Sequence, residues 1–242
     1  MIELKNVTKT YSGTIKAVDD LSITIQDGEI FGFLGPNGAG KTTTIKMITG
    51  ILRPDSGNIK INDIDINENP IDAKMKFGFV PDDPNIFLRL KGLEYLNFMA
   101  DMYDVSDADR KQRIESLAKR FEMSGALGDN IQSYSHGMRQ KIVIMGVLIH
   151  NPPVWILDEP MTGLDPKSSF TLKEMMREHA AEGNTVFFST HVLEVAEKLC
   201  DKLAIINKGK ILYAGNIDDM REHFKNSESF EKMFLELTEN EQ

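Results

Sequence analysis

Polar and apolar residues change rhythm along this chain, first at strand spacing, then at helix spacing, then alternating between the two. Ile2, Leu4 and Val7 sit in a β-like opening, and Leu21, Ile23 and Ile25 alternate with polar neighbours, the period of a half-buried strand. Ile30, Phe31, Phe33 and Leu34 then run almost unbroken into Gly35, as a parallel strand buried on both faces does. Residues 41–49 predict a helix closed by Gly50 and followed by Pro54. The middle, 85–134, reads as helical: Leu93, Leu96 and Met99 recur at helical spacing, as do Ile114, Leu117, Ala118 and Phe121. Beyond it, 154–157 and 185–189 predict buried strands. Residues 167–182 predict a helix with Asp165 as N-cap, Pro166 in its first turn and Gly183 at its end. Such alternation implies right-handed crossovers and a mostly parallel α/β sheet, with the helical insert as a second lobe.

Composition narrows the picture. The 242 residues are 41% hydrophobic and 27% charged, enough for a packed core. A formal charge of −9 disfavours general nucleic-acid binding, which needs clustered Lys and Arg, so no nucleic-acid partner is expected. One cysteine, Cys200, allows no internal disulfide and is expected as a buried apolar residue. No signal-peptide pattern opens the chain. The longest strongly apolar run, 142–149, has eight residues, against about 20 for a membrane-spanning helix. The chain is therefore expected to be soluble and to meet a membrane only through a partner.

Two motifs carry chemistry. Gly35, Pro36, Asn37, Gly38, Ala39, Gly40, Lys41 and Thr42 match G-x-x-x-x-G-K-[ST] between a predicted strand and a predicted helix. Glycines let the backbone curl so that N–H groups point at phosphate oxygens, and the helix start adds its positive dipole end. Lys41 is expected to bridge β- and γ-phosphates, Thr42 to offer a hydroxyl to Mg²⁺, and Thr43 to help hold the α-phosphate. The strand 154–157 delivers Asp158 and Glu159 at its carboxyl tip, where α/β sheets place ligands. Asp158 is the candidate Mg²⁺ ligand, and Glu159 the group that orients or deprotonates the attacking water. Together they predict a nucleoside triphosphatase without naming its family.

Tyr134-Ser135-His136-Gly137-Met138-Arg139-Gln140, shortly before the Asp-Glu strand, resembles the signature motif of ATP-binding cassette (ABC) proteins. Leu164-Asp165 resembles their D-loop, His191 their switch histidine, and Tyr11, some 24 residues before the phosphate loop, their adenine-stacking aromatic. Order and spacing agree from Tyr11 to about Gly215. The resemblance implies a P-loop NTPase core with a mostly parallel sheet, an N-terminal antiparallel β subdomain and a helical subdomain. The core would take 1–84 and 152–216, the helical lobe 85–151, and a short helical tail 217–242. It also implies an ATPase using ATP and Mg²⁺. Ser135 and Gly137 would cap the γ-phosphate held by a second cassette subunit, Asp165 would cross the same interface, and His191 would sense the γ-phosphate. Both nucleotides would then lie sandwiched in a twofold dimer driving an integral membrane permease from the cytoplasmic face of the cell membrane.

Two positions depart from the family pattern. Asp82 stands where the Q-loop glutamine is usual, with Asp83 beside it; aspartate can still bind a hard cation, so Asp82 is carried as a candidate catalytic residue and metal ligand. His136 replaces the signature's first glycine and is expected to face solvent rather than phosphate. Phe87, Leu88, Leu90, Tyr95 and Phe98 follow the Q-loop, most of them expected in the core, in the region that in the family receives a helix of the membrane subunit.

Other classes fit less well. Only 116 residues separate Lys41 from Asp158, without sustained heptads, which argues against a chromosome-maintenance ATPase. One cassette without basic linkers argues against a translation factor. Asn207-Lys208-Gly209-Lys210 lacks the acid of a guanine-reading motif. A transporter motor is favoured, export over import, with a soluble ABC-class ATPase as the alternative.

Overall fold

The computed structural model describes residues 1–223 and 229–239. Two sheets form. β1 (Ile2–Tyr11), β2 (Ile15–Ile25), β4 (Ser56–Ile61) and β5 (Ile64–Asp65) make an antiparallel sheet in the order β2-β1-β4-β5. β3 (Ile30–Leu34), β6 (Phe77–Val80), β7 (Val154–Leu157), β8 (Thr185–Thr190), β9 (Lys202–Asn207) and β10 (Lys210–Gly215) make the second, in the order β10-β9-β3-β8-β7-β6. All its pairings are parallel except that of the edge hairpin β9–β10. This is the mixed architecture expected, with the antiparallel sheet at the amino-terminal end of the chain.

The buried strands serve two cores at once. Successive side chains of a strand point to opposite faces. On β7, Val154 and Ile156 join the core under the antiparallel sheet and helix α1 (Lys41–Ile48), whereas Trp155 and Leu157 join the core under the helical lobe. Phe187 on β8 joins the first, and its neighbours Val186 and Phe188 the second. That is why these strands read as unbroken apolar runs.

The helices follow: α2 (Pro70–Lys74), α3 (Gly92–Met102), α4 (Asp107–Arg120), α5 (His136–Leu148), α6 (Pro166–Ala181) and α7 (Leu193–Leu199). Between α4 and α5 only a short 3₁₀ turn, Ile131–Ser133, is regular. Asp165 caps α6 as expected, accepting from the Ser168 backbone N–H at 2.9 Å. The apolar run Ile142 to Ile149 on α5 is buried all round, because the helix lies between α3, α4 and strand β6. In the tail, α8 (Ile217–His223) and α9 (Phe230–Glu239) pack Ile217, Met220, Phe230 and Met233 against β9. Residues 224–228 and 240–242 of the expected tail lie outside the described residues.

His179 on α6 stacks on Trp155, ring centroids 4.1 Å apart, and burial pulls its pKa from 6.5 down to about 4. His150, stacked on Tyr103, is lowered to about 4 by burial as well. Both rings are neutral when folded and take protons more readily when unfolded. Their contribution is thus intact above pH 6.5 and is lost as pH falls toward 4. The midpoint of thermal unfolding is expected to fall over that window. His179→Phe, which keeps the stack and removes the titration, should flatten the dependence in calorimetry.

Candidate functional site

Four neighbouring parallel strands, β3, β8, β7 and β6, end on the same side of the sheet. Their carboxyl ends deliver, in that order, the 35–42 loop, His191, Asp158 with Glu159, and Asp82. This edge is where open α/β sheets bind ligands.

The loop between β3 and α1 is shaped by close approach. A Cβ on Gly35 would collide with the Ile206 carbonyl oxygen, and one on Gly40 with the Ala17 carbonyl oxygen. Gly38 and Gly40 have φ of 81° and 113°, open to glycine and strained for other residues. Lys41 begins α1 and is 7% exposed. Its Nζ donates to the Gly35 carbonyl at 2.7 Å and to the Pro36 carbonyl at 3.2 Å. Burial lowers its pKa, while Glu159, Asp158 and Asp82 act in the opposite direction. Lysine and carboxylates therefore share one electrostatic site.

Asp158 is 2% exposed. Its backbone N–H donates to the Val80 carbonyl at 2.8 Å, tying the tip of β7 to β6. Ser189 Oγ donates to its carboxylate at 2.5 Å, and the Thr42 hydroxyl stands near enough to favour the charged form. Burial raises the Asp158 pKa, the nearby Asp82 and Glu159 add to the rise, and the Ser189 bond and the Thr42 hydroxyl oppose it. Ser189 also accepts the Glu159 backbone N–H at 3.0 Å, so one hydroxyl positions both acids. The sequence reading missed Ser189; a hydroxyl directly after the apolar run Val186–Phe188 was its one visible signal.

Glu159 has φ 46°, in the left-handed region that a non-glycine residue adopts at some cost. That turn at the end of the strand lets two consecutive acids serve one site. Its Oε1 lies 3.0 Å from His191 Nδ1 and 3.9 Å from Lys41 Nζ. His191 is thus brought to Glu159 across the sheet edge.

Tyr11 is exposed at the tip of the β1–β2 hairpin, paired across it with Ile15, which is 65% exposed. Ala17, two residues further along β2, presses on Gly40, and this contact brings the hairpin beside the phosphate loop. Tyr11 and Ile15 are thus two exposed side chains on the hairpin that meets the 35–42 loop; Ile15 had escaped notice because one exposed isoleucine carries no signal in a sequence.

Ser135 and Gly137 are not brought to Lys41 by a contact within the chain. Ser135 caps α5 instead, accepting from the Met138 backbone N–H at 3.3 Å. His136 is exposed, as expected, but its ring lies against Gly163. Asp165 is engaged within its own chain by Ser168 and by Lys141, whose Nζ is 2.8 Å away, and these bonds hold its carboxyl well below the usual range.

The oxygen donors Thr42 and Asp158 suit a hard cation such as Mg²⁺. Among the described residues, no group of three or more His, Cys, Asp or Glu side chains could hold a metal unaided. An ion here would complete its shell with phosphate oxygens, the usual habit of Mg²⁺ in phosphate-handling sites.

Comparison with known proteins agrees with this geometry. The sequence profile of the ABC transporter family matches residues 18–162. This chain belongs to the ABC transporter family. It is 35% identical over 239 residues to the ABC transporter ATP-binding protein NatA of Bacillus subtilis (strain 168), covering 97% of each. It is 33% identical to the Nod factor export ATP-binding protein I of Cupriavidus pinatubonensis, over 91% of this chain and 67% of that one. The solved structure of an ATP-binding subunit of an ABC transporter superposes with a TM-score of 0.93 at 33% identity, covering 98% and 99% of the two chains. A dimeric ATP-binding cassette in a post-hydrolysis state with ADP and Pi gives 0.81 at 27% identity, covering 90% and 99%. This ABC cassette is an ATPase whose substrate is ATP and whose cation is Mg²⁺.

The steric fit of the phosphate loop is testable. Gly35→Ala is expected to lower stability by about 1–3 kcal/mol and to weaken ATP binding, read by calorimetry and nucleotide titration.

Proposed function

We propose that this cassette is the motor of an exporter, closing as a twofold pair around two ATP molecules and driving a separate integral membrane permease. The observation that carries the reading is the division of the nucleotide machinery over two surfaces. Phosphate loop, Asp158, Glu159 and His191 converge on one sheet edge, while the Ser135 start of α5 is exposed and unengaged with them. A helix amino terminus is an anion site, and in a twofold pair it would meet the phosphates held by the other copy. Dimerisation is a property of the solved relative with ADP and Pi, and export is the function named for the Nod factor relative; both support the same reading here.

In this mechanism the 35–42 loop and Lys41 bind the phosphates, with Thr43 beside the α-phosphate, and Tyr11 stacks on the adenine. Lys41 exchanges its bonds to the Gly35 and Pro36 carbonyls for phosphate oxygens. Thr42 and Asp158 are the residues that would hold Mg²⁺, which when bound supplies charge screening for the polyphosphate. Glu159 takes the proton of the attacking water. His191, at 3.0 Å, orients that carboxylate and meets the γ-phosphate. Asp82 places a further negative charge within reach of Lys41 and Asp158, tuning cation binding and hydrolysis. Ser135 and Gly137 close over the other copy's nucleotide.

No helix among the described residues is long and apolar enough to cross a membrane. A role at the inner face of the cell membrane therefore runs through the permease. The surface offered to it is the edge of the helical lobe, where Phe87 and Phe98 are exposed in ring contact with centroids 5.5 Å apart, whereas Tyr95 is buried in the core. Beside them Ile51, Phe79, Met99 and Tyr103 help line a cleft of about 240 Å³ between this lobe and the sheet, suited to an amphipathic helix.

Glu159→Gln is expected to reduce ATP turnover on the order of 10²-fold or more and to trap an ATP-dependent dimer on a sizing column. A monomer at every ATP concentration would sink the sandwich. Asp82→Gln is expected to keep hydrolysis and to shift its Mg²⁺ dependence; unchanged rate and unchanged Mg²⁺ titration together would remove Asp82 from the site. Purification from the native host in mild detergent should bring the permease along.

A further inference from the structure

One face of α5 carries His136, Gly137, Gln140 and Lys141, spaced as neighbours over a helical turn. All four meet the loop that joins Glu159 to α6. The His136 ring lies so close to Gly163 that a Cβ on that glycine would overlap it. A Cβ on Gly137 would stand 2.7 Å from the Gly163 carbonyl oxygen. Gln140 Nε2 donates to the Pro160 carbonyl at 3.4 Å, and Lys141 pairs with Asp165 at 2.8 Å. The loop is held at its start, middle and end.

Tight turns carry this grip back to the catalytic strand. The Thr162 N–H donates to the Glu159 carbonyl at 3.1 Å, and that of Leu164 to the Met161 carbonyl at 3.2 Å. Glu159 already sits at φ 46°, so a shift of the loop rotates its backbone in a region with little tolerance. The buried Gln140 leaves its Oε1 without a hydrogen-bond partner, a cost held at the α5–loop contact.

We propose that His136 is a positioning residue for hydrolysis: its ring, resting on Gly163, ties the setting of the α5 start to the placement of Glu159 in the same chain. Glycine at position 136 would have no side chain to make this contact, so the link belongs to this chain's histidine. Resting on the two-copy reading above, the link has a direction. The α5 start meets the other copy's nucleotide while Glu159 serves its own, so closure over one site sets the water-activating group of the other. Such coupling is reciprocal in binding free energy and appears as cooperativity in ATP.

The test is a double-mutant cycle on the full chain, with steady-state ATPase measured against ATP concentration. His136→Gly is expected to lower kcat about three- to tenfold with KM within about twofold and to reduce the Hill coefficient. Gly163→Ala, which pushes on the same contact and is strained at φ 78°, should lower kcat in the wild-type background. In the His136→Gly background its effect should shrink, because the overlap is gone and only the backbone strain at φ 78° remains. Effects that simply multiply overturn the proposal, as does a raised KM with kcat intact, which would place the ring on nucleotide. Unchanged kinetics in His136→Gly overturn it too. A Glu159→Gln chain that fails to dimerise with His136 intact would sink the two-copy reading alone, since the cycle would still decide the contact between His136 and Gly163.

Discussion

Negative charge has to be gathered around one buried lysine. A polyphosphate is strongly anionic, and the site proposed to receive it holds Asp158, Glu159 and Asp82 near Lys41. Burial disfavours the charged forms of Lys41 and Asp158, pulling the lysine pKa down and the Asp158 pKa up. Lys41 donates to two loop carbonyls, and Asp158 accepts from the Ser189 hydroxyl. The surrounding fold keeps Lys41 and Asp158 close together and buried.

Two features of the backbone make that possible. Parallel strands β3, β8, β7 and β6 end together, so loops distant in sequence meet at one edge. Each strand is clamped on both faces, by the antiparallel sheet with α1 on one side and by the helical lobe on the other. A strand fixed on both faces cannot slip by one residue without exchanging its two cores, so the tips carrying Asp158, Glu159 and His191 are held in register. The cost of the arrangement appears at Glu159, where the chain must enter the left-handed region.

Helix α5 joins this edge to the rest of the molecule. Its central residues are buried all round, its exposed start presents Ser135 and His136, and one face grips the loop after Glu159. Arg139 adds a bond to Asn85 at 2.7 Å, just beyond Asp82, and further bonds to the Ile131 and Gln132 carbonyls. A rigid helix with its start outside the site and its flank on the catalytic loop is suited to carry displacement rather than to absorb it.

The amino-acid sequence by itself determined the nucleotide chemistry and the class of fold. The G-x-x-x-x-G-K-[ST] pattern needs particular residues at set positions, so the proposed cradle Gly35 to Thr42 and the Asp158–Glu159 pair are local patterns. Apolar runs and their periods likewise mark strands and helices, down to the Asp165 cap of α6. The tertiary structure alone decided what lies across from what. Ser189 became the shared partner of both acids, Ile15 the neighbour of Tyr11, and Asp165 a residue engaged inside its own chain. His136 came to rest on Gly163, 27 positions away. The physical reason is range: bond geometry and side-chain period act over a few residues, whereas hydrogen bonds, burial and charge act between whatever the packed sheet brings together.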